Sequence, residues 1–269
     1  CSPCPSSWIG FQKEVIEPPN SSTKGRIRPR GYALVPFVDK VFSLRDGSDI
    51  QHFQLICSDM YIDIASDPVY RWIASAVSLN VQELCIDINR IRGDFEIPSC
   101  LTTCKSLSKL ELVLVLFKFF EDKKKIILPI SISLPRLKSL RLSLVSLAFD
   151  DENLVTKFFS SCPALESLEL FCEFSNMNLI LSLPQLKHFV YGENENSDNI
   201  QLCAPNLTDL NFHGCISSDY NLENLASLTS ADIFMFVKET EDVVPKNIGR
   251  FLHGKLVCQQ NDEIVERVT

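Results

Sequence analysis

Twelve side chains along this 269-residue chain have the types and spacing to bind a partner: Glu83, Asp87, Lys109, Glu111, Arg141, Glu169, Phe171, His188, Asp209, Asn211, Asp232 and Phe234. Six of them are acids (Glu83, Asp87, Glu111, Glu169, Asp209, Asp232) and two are bases (Lys109, Arg141), a formal balance of -4. Such a set suits a basic or mixed-charge protein segment, with Phe171 and Phe234 as apolar anchors at the edge. Solubilising residues at strand exits would read the same way. His188, like His52 and His213, adds a group of the kind that titrates near neutral pH. Catalytic spacing is not found: there is no HExxH, phosphate-binding loop, GxSxG elbow or dinucleotide glycine pattern. Cys1 and Cys4 form one CxxC and Cys100 and Cys104 a looser pair, but zinc needs four ligands and no second pair lies at a finger-like distance. No metal, no cofactor and no enzymatic activity are expected.

What would position these residues is an apolar phrase, LxxLxL, met eight times. It reads Ile50/Phe53/Leu55, Val81/Leu84/Ile86, Leu107/Leu110/Leu112, Leu137/Leu140/Leu142, Leu165/Leu168/Leu170, Leu186/Phe189/Tyr191, Leu207/Leu210/Phe212 and Leu228/Ala231/Ile233. The starts lie 31, 26, 30, 28, 21, 21 and 21 residues apart. Periods of about 20 to 29 residues with this phrase mark leucine-rich repeats. No unit buries its own apolar face, so the units must stack. The expected fold is α/β, a leucine-rich-repeat solenoid: a curved parallel β-sheet with helices and irregular returns on the convex side. Strand side chains alternate, so positions i+2 and i+4 of each phrase point away from the core, and the concave face is the expected contact surface.

Composition narrows the partners. A net charge of -8 argues against general affinity for nucleic acid or anionic membranes, and no apolar run is long enough to span a bilayer. A protein partner is expected. Eleven cysteines, odd in number and irregular in spacing, do not form a disulfide framework. Cys85, Cys162, Cys172, Cys203 and Cys215 fall inside repeats as small apolar fillers, which points to the reducing cytoplasm or nucleus.

Residues 1–35 read as a disordered or linker tail, rich in Pro, Ser and Gly, with four positive charges between Lys24 and Arg30. Residues 36–237 form the solenoid, opened by a helical cap with Phe37, Val38, Val41, Phe42 and Leu44 on one side and a stop at Asp46-Gly47. Asp67-Pro68 starts an amphipathic helix that turns Val69, Trp72, Ile73, Ala76 and Val77 to one face. Asp150, Asp151 and Glu152 start another, with Leu154, Val155, Phe158 and Phe159 inward. The 21-residue units leave room only for a turn or irregular return. Glu121–Lys125 and Glu193–Asn199 read as hydrophilic loops on the repeat edge. Residues 238–269 read as a C-terminal tail.

Several segments together resemble the plant F-box/FBD/leucine-rich-repeat proteins: FVDKVFSLRDGSDIQHFQL, RWIASAVSLNVQELCIDI, IPSCLTTCKSLSKLEL, SLPRLKSLRLSLVSLAFDDENLVTKFFSSCPALESLEL, CAPNLTDLNF and LASLTSADI. The resemblance covers Phe37 to Val237. It implies an interaction module, the substrate-recognition part of a Skp-cullin-F-box type ubiquitin ligase, whose F-box docks on the Skp adaptor. The F-box pattern is absent from residues 1–36, and the FBD segment is missing or reduced to a remnant over Val243 to Val268. Skp docking is therefore expected only with an F-box upstream, and a repeat-only scaffold without a ubiquitin-ligase role is the alternative.

Overall fold

A computed structural model of the chain describes residues 8–12, 34–57, 64–92, 94–116, 124–149, 151–173, 177–192, 199–215 and 220–236. In chain order the elements are β1 (Trp8–Gln12), α1 (Leu34–Ser43), β2 (His52–Cys57), β3 (Ile64–Ala65), α2 (Ser66–Ser78), β4 (Glu83–Arg92), β5 (Phe95–Glu96) and α3 (Ser99–Thr102). They continue as β6 (Lys109–Leu116), β7 (Lys124–Ile127), β8 (Ser139–Phe149), α4 (Glu152–Ser160), β9 (Ser167–Glu173) and β10 (Asn178–Ser182). The last are β11 (His188–Gly192), β12 (Asn199–Cys203), β13 (Asp209–Cys215), β14 (Tyr220–Glu223) and β15 (Ser230–Phe236).

Every LxxLxL phrase runs into a strand of one parallel sheet, ordered β1-β2-β4-β6-β8-β9-β11-β13-β15. The apolar positions of the first seven phrases, from Ile50 to Phe212, are all buried in one continuous core. Register passes from unit to unit through the backbone. The amide one residue after each phrase start donates to the equivalent carbonyl of the preceding unit: Ser108 to Gln82, Lys138 to Ser108, Glu166 to Lys138 and Lys187 to Glu166, each at 2.8 Å, then Thr208 to Lys187 and Thr229 to Thr208 at 2.9 Å. These bonds satisfy polar groups that enclosure would otherwise leave without partners.

The other side of the core differs between the two halves. The longer spacings hold α2 and α4, whose buried residues are Val69, Trp72, Ile73 and Ala76 in the first and Val155, Phe158 and Phe159 in the second. The Asp151 side chain caps α4 by accepting the Leu154 amide at 3.0 Å. In the 21-residue units the returns are not irregular. They are strands β10, β12 and β14, which form a second parallel sheet of their own, with Leu179, Leu181, Ile200, Leu202 and Tyr220 buried beneath it. Two alternating apolar positions suffice for a strand here because the neighbouring unit repeats them 21 residues later, as Asn178 pairs with Asn199 in register.

Three further expectations need amending. Within the stretch read as a tail, Trp8–Gln12 is a strand that pairs with β2 and lengthens the large sheet by one position; a lone five-residue segment carries no repeat signal, so its pairing was not legible. On α1, Val38 is buried and Val41 and Phe42 pack on the core, but Phe37 and Leu44 are 56% and 71% exposed. The helix lies beside α2, held by Asp39, which accepts from the Trp72 indole at 2.7 Å and pairs with Arg71 at 3.1 Å. Its stop stands: Gly47 takes φ +84°, and the Asp46 carboxylate accepts the Ser48 amide at 3.0 Å. The loops at Glu121–Lys125 and Glu193–Asn199 lie largely outside the described residues, while Lys124, Lys125 and Asn199 already belong to strands. The 24–30 basic stretch and residues 238–269 also lie outside them.

Candidate interaction face

Because the strands are parallel and in register, the residues left facing solvent line up across the large sheet in three rows. The first runs His52, Glu83, Lys109, Ser139, Ser167, His188, Asp209, Ser230. The second runs Gln54, Cys85, Glu111, Arg141, Glu169, Val190, Asn211, Asp232. The third, toward the strand exits, contains Ile56, Asp87, Val113, Ser143 and Phe171, and beyond them Gly192, His213 and Phe234. All twelve residues singled out from the sequence fall in these rows.

Adjacent positions within and between rows are close enough for charges to meet, and most of the acids do. Glu83 pairs with His52 at 3.0 Å, Glu111 with Lys109 at 2.7 Å, Glu169 with Arg141 at 3.5 Å, and Asp209 with His188 at 3.0 Å. The acids are therefore not a uniform negative strip: Glu111 and Glu169 each meet one of the two bases, while Glu83 and Asp209 face histidines, which carry charge only when protonated. Burial pushes the Glu111 carboxyl up, but the Lys109 ammonium, the Cys85 thiol and Arg141 together outweigh it and hold the group below its ordinary value. Lys109 is raised in return, mainly by its hydrogen bond to Glu111.

Two groups of contacts were not foreseen. Gln54, Cys85 and Glu111 form a chain across the second row, with the Cys85 thiol donating to Glu111 at 3.5 Å and accepting from Gln54 at 3.9 Å. With His52, Glu83 and Lys109 they line a pocket of about 100 Å3 on the sheet surface. Cys85 is thus a half-buried face residue and not a core filler, whereas Cys57, Cys104, Cys162 and Cys172 are buried. Desolvation, followed by the charge of Glu111, pushes the Cys85 thiol up to about 11. The second group lies at the strand entries, where Glu166 accepts from Lys187 at 2.8 Å and pairs with Lys138 at 3.3 Å. Its signal was present as alternating charge one residue after three successive phrase starts. Among the described residues, no group of three or more His, Cys, Asp or Glu is placed to hold a metal ion, and no helix is long and apolar enough to cross a membrane.

Stacked parallel strands bearing the LxxLxL phrase define a leucine-rich-repeat protein. The family model described as FBD-associated F-box protein At5g56370, LRR repeats, matches residues 69–232, and the chain belongs to this plant F-box/FBD/leucine-rich-repeat family. Relatives include the F-box/LRR-repeat protein At3g59200 of Arabidopsis thaliana, 29% identical over 224 residues that cover 78% of this chain and 39% of that protein. The F-box/LRR-repeat protein At4g14103 of the same plant is 28% identical over 213 residues, 75% of this chain and 51% of that one. The F-box/FBD/LRR-repeat protein At1g78750 is 31% identical over 206 residues, 73% and 43% respectively. The chain spans about half the length, or less, of these relatives. No solved structure matches it.

Proposed function

We propose that this chain is the substrate-recognition part of an F-box type ubiquitin ligase and that it docks a protein on the three-row face of its large sheet. One observation carries the reading: residues of different chemistry, drawn from strands far apart in sequence, are aligned by register into a continuous surface. A core needs only the inward side chains, so the outward rows are available to a partner. The family supplies the ligase context, since the relatives are F-box/LRR-repeat proteins by name. In this reading the chain performs no catalytic step and holds no cofactor. Docking to a Skp adaptor requires an F-box joined to these repeats, and the free thiols suit the cytoplasm or nucleus.

The test is affinity purification of the protein expressed from its native locus, alongside a variant carrying Glu111→Lys and Glu169→Lys. Both substitutions place a cation beside Lys109 or Arg141, so they reverse the local charge while leaving the core untouched. The expected result is Skp adaptor recovered with both forms and a further protein recovered with the unsubstituted form alone. A partner retained by both would remove the face from the reading, and loss of the adaptor from both would remove the ligase.

A further inference from the structure

We propose that the C-terminal part of the face, on β11, β13 and β15 with Phe171 of β9 beside them, binds an extended protein segment through an arginine, whose guanidinium pairs with Asp232 while its stem and an adjoining apolar residue lie on an aromatic shelf. The proposal rests on the preceding reading that this face docks a protein, and it names the chemistry of what is docked.

The shelf is built by the third row. Phe171 lies half-buried against Gly192, where an added Cβ would come within 2.5 Å of ring atom Cδ1 and 2.8 Å of Cε1. Only glycine at 192 leaves the ring that position. His213 follows in the row, and Phe234 lies against it with ring centroids 5.6 Å apart. Phe234 is nevertheless 55% exposed. A large ring held at the rim by a neighbour and open on its other side is the geometry of an anchor.

Charge picks the occupant. Toward the N-terminal end Glu111 and Glu169 each face a lysine or arginine on the sheet. In the three rows on β11, β13 and β15 there is no lysine or arginine at all. Among the described residues Asp209 has only His188 and the Thr208 hydroxyl, at 3.0 and 2.6 Å. Asp232 is exposed and makes no ion pair among the described residues. Among the described residues, the acid that faces no cation thus lies next to the aromatic shelf. Asp232 and Phe234 are two residues apart on one strand and so project to the same side about 6.6 Å from each other, within the length of one arginine side chain. Arginine fits better than lysine, because its planar guanidinium stacks on a ring and pairs with a carboxylate through a fork of donors.

The experiment selects binders from a phage-displayed library of random short peptides on the immobilised full chain, then measures the best peptide in solution by fluorescence anisotropy. Arginine beside an apolar residue is the expected enrichment. Replacing that arginine with citrulline, or introducing Asp232→Asn or Phe234→Ala, should weaken binding roughly tenfold, while Lys105→Ala after α3 and Asn153→Ala on α4, both exposed and off the large sheet, leave it unchanged. Asp232→Asn is isosteric and exposed, so it reports on binding without threatening the fold. Acidic or neutral consensus sequences, or basic ones indifferent to Asp232 and Phe234, would overturn the proposal. If selected peptides respond to Glu111→Lys and Glu169→Lys instead, the face still docks proteins and this subsite does not. Failure to select any peptide counts against both.

Discussion

Cys57 and Cys162 show how the repeat interior treats a single ionisable group. Desolvation pushes both thiols from the ordinary 9.0 up to about 12, with the charge of Asp87 adding to the effect at Cys57. The unfolded chain therefore loses these protons first as pH rises. Their contribution to stability is present in full below about pH 9 and is lost progressively between that value and pH 12; Cys85, at about 11, acts in the same direction. Urea denaturation midpoints should fall above pH 9, and substituting Cys162 by alanine should flatten that fall. An unchanged alkaline limb in the variant would count against this account. Glu111 works at the other end of the scale: held below its ordinary 4.5, it contributes above that value and ceases to as pH drops through its lowered one. Residue burial was the most legible quantity in the sequence, because the phrase states which side chain turns inward. Partners were the least legible. Nothing near Trp72 in sequence announces that Asp39, 33 residues earlier, accepts its indole proton, and the pairing of His52 with Glu83 depends on a register known only once the strands are aligned.

Elements followed their local signals wherever those signals were long. The two amphipathic helices were readable from their acidic starts and apolar faces, and α4 adds a side-chain cap at Asp151. Asp151→Ala should therefore cost about 0.5 to 2 kcal/mol, whereas Asn153→Ala, exposed and one turn position away, should cost little. Thermal melting of the two variants checks the difference, and equal losses would mean that the cap contributes nothing beyond helix propensity. Short elements were misjudged for the opposite reason. Strands β10, β12 and β14 hold only four or five residues each, too few for an alternation of two to stand out within one copy. Compared at the 21-residue offset, Leu179 with Ile200 and Leu181 with Leu202 line up. The candidate face was legible as a set of outward positions, but its electrostatics were not, since formal charge summed over a row ignores which neighbour neutralises which.

At the scale of the molecule the contacts run between adjacent units, so stability is close to a sum of local terms and nearest-neighbour interfaces. Central strands have two covered neighbours. Among the described residues β15, the last described strand, has one: Leu228, Ile233 and Met235 on and before it are only half-buried, in contrast to the fully enclosed equivalents on β8 and β9. Amide hydrogen exchange should accordingly be slowest around Leu140–Leu142 and Leu168–Leu170 and should quicken stepwise toward Ile233. Uniform protection from β4 to β15 would mean that the chain opens only as a whole, contrary to this expectation.

The backbone ladder that carries register from Glu166 to Lys187, Thr208 and Thr229 uses the same amide and the same carbonyl in every 21-residue step. Any such step is therefore interchangeable with the next as far as the main chain is concerned. An in-frame duplication or excision of one block leaves every donor opposite an equivalent acceptor while moving the terminal phenylalanine and aspartate one strand width nearer to, or farther from, the lysine-bearing strands. Reach along the surface can thus be retuned by gene-length changes alone, in increments of about 4.8 Å, without redesigning the interior.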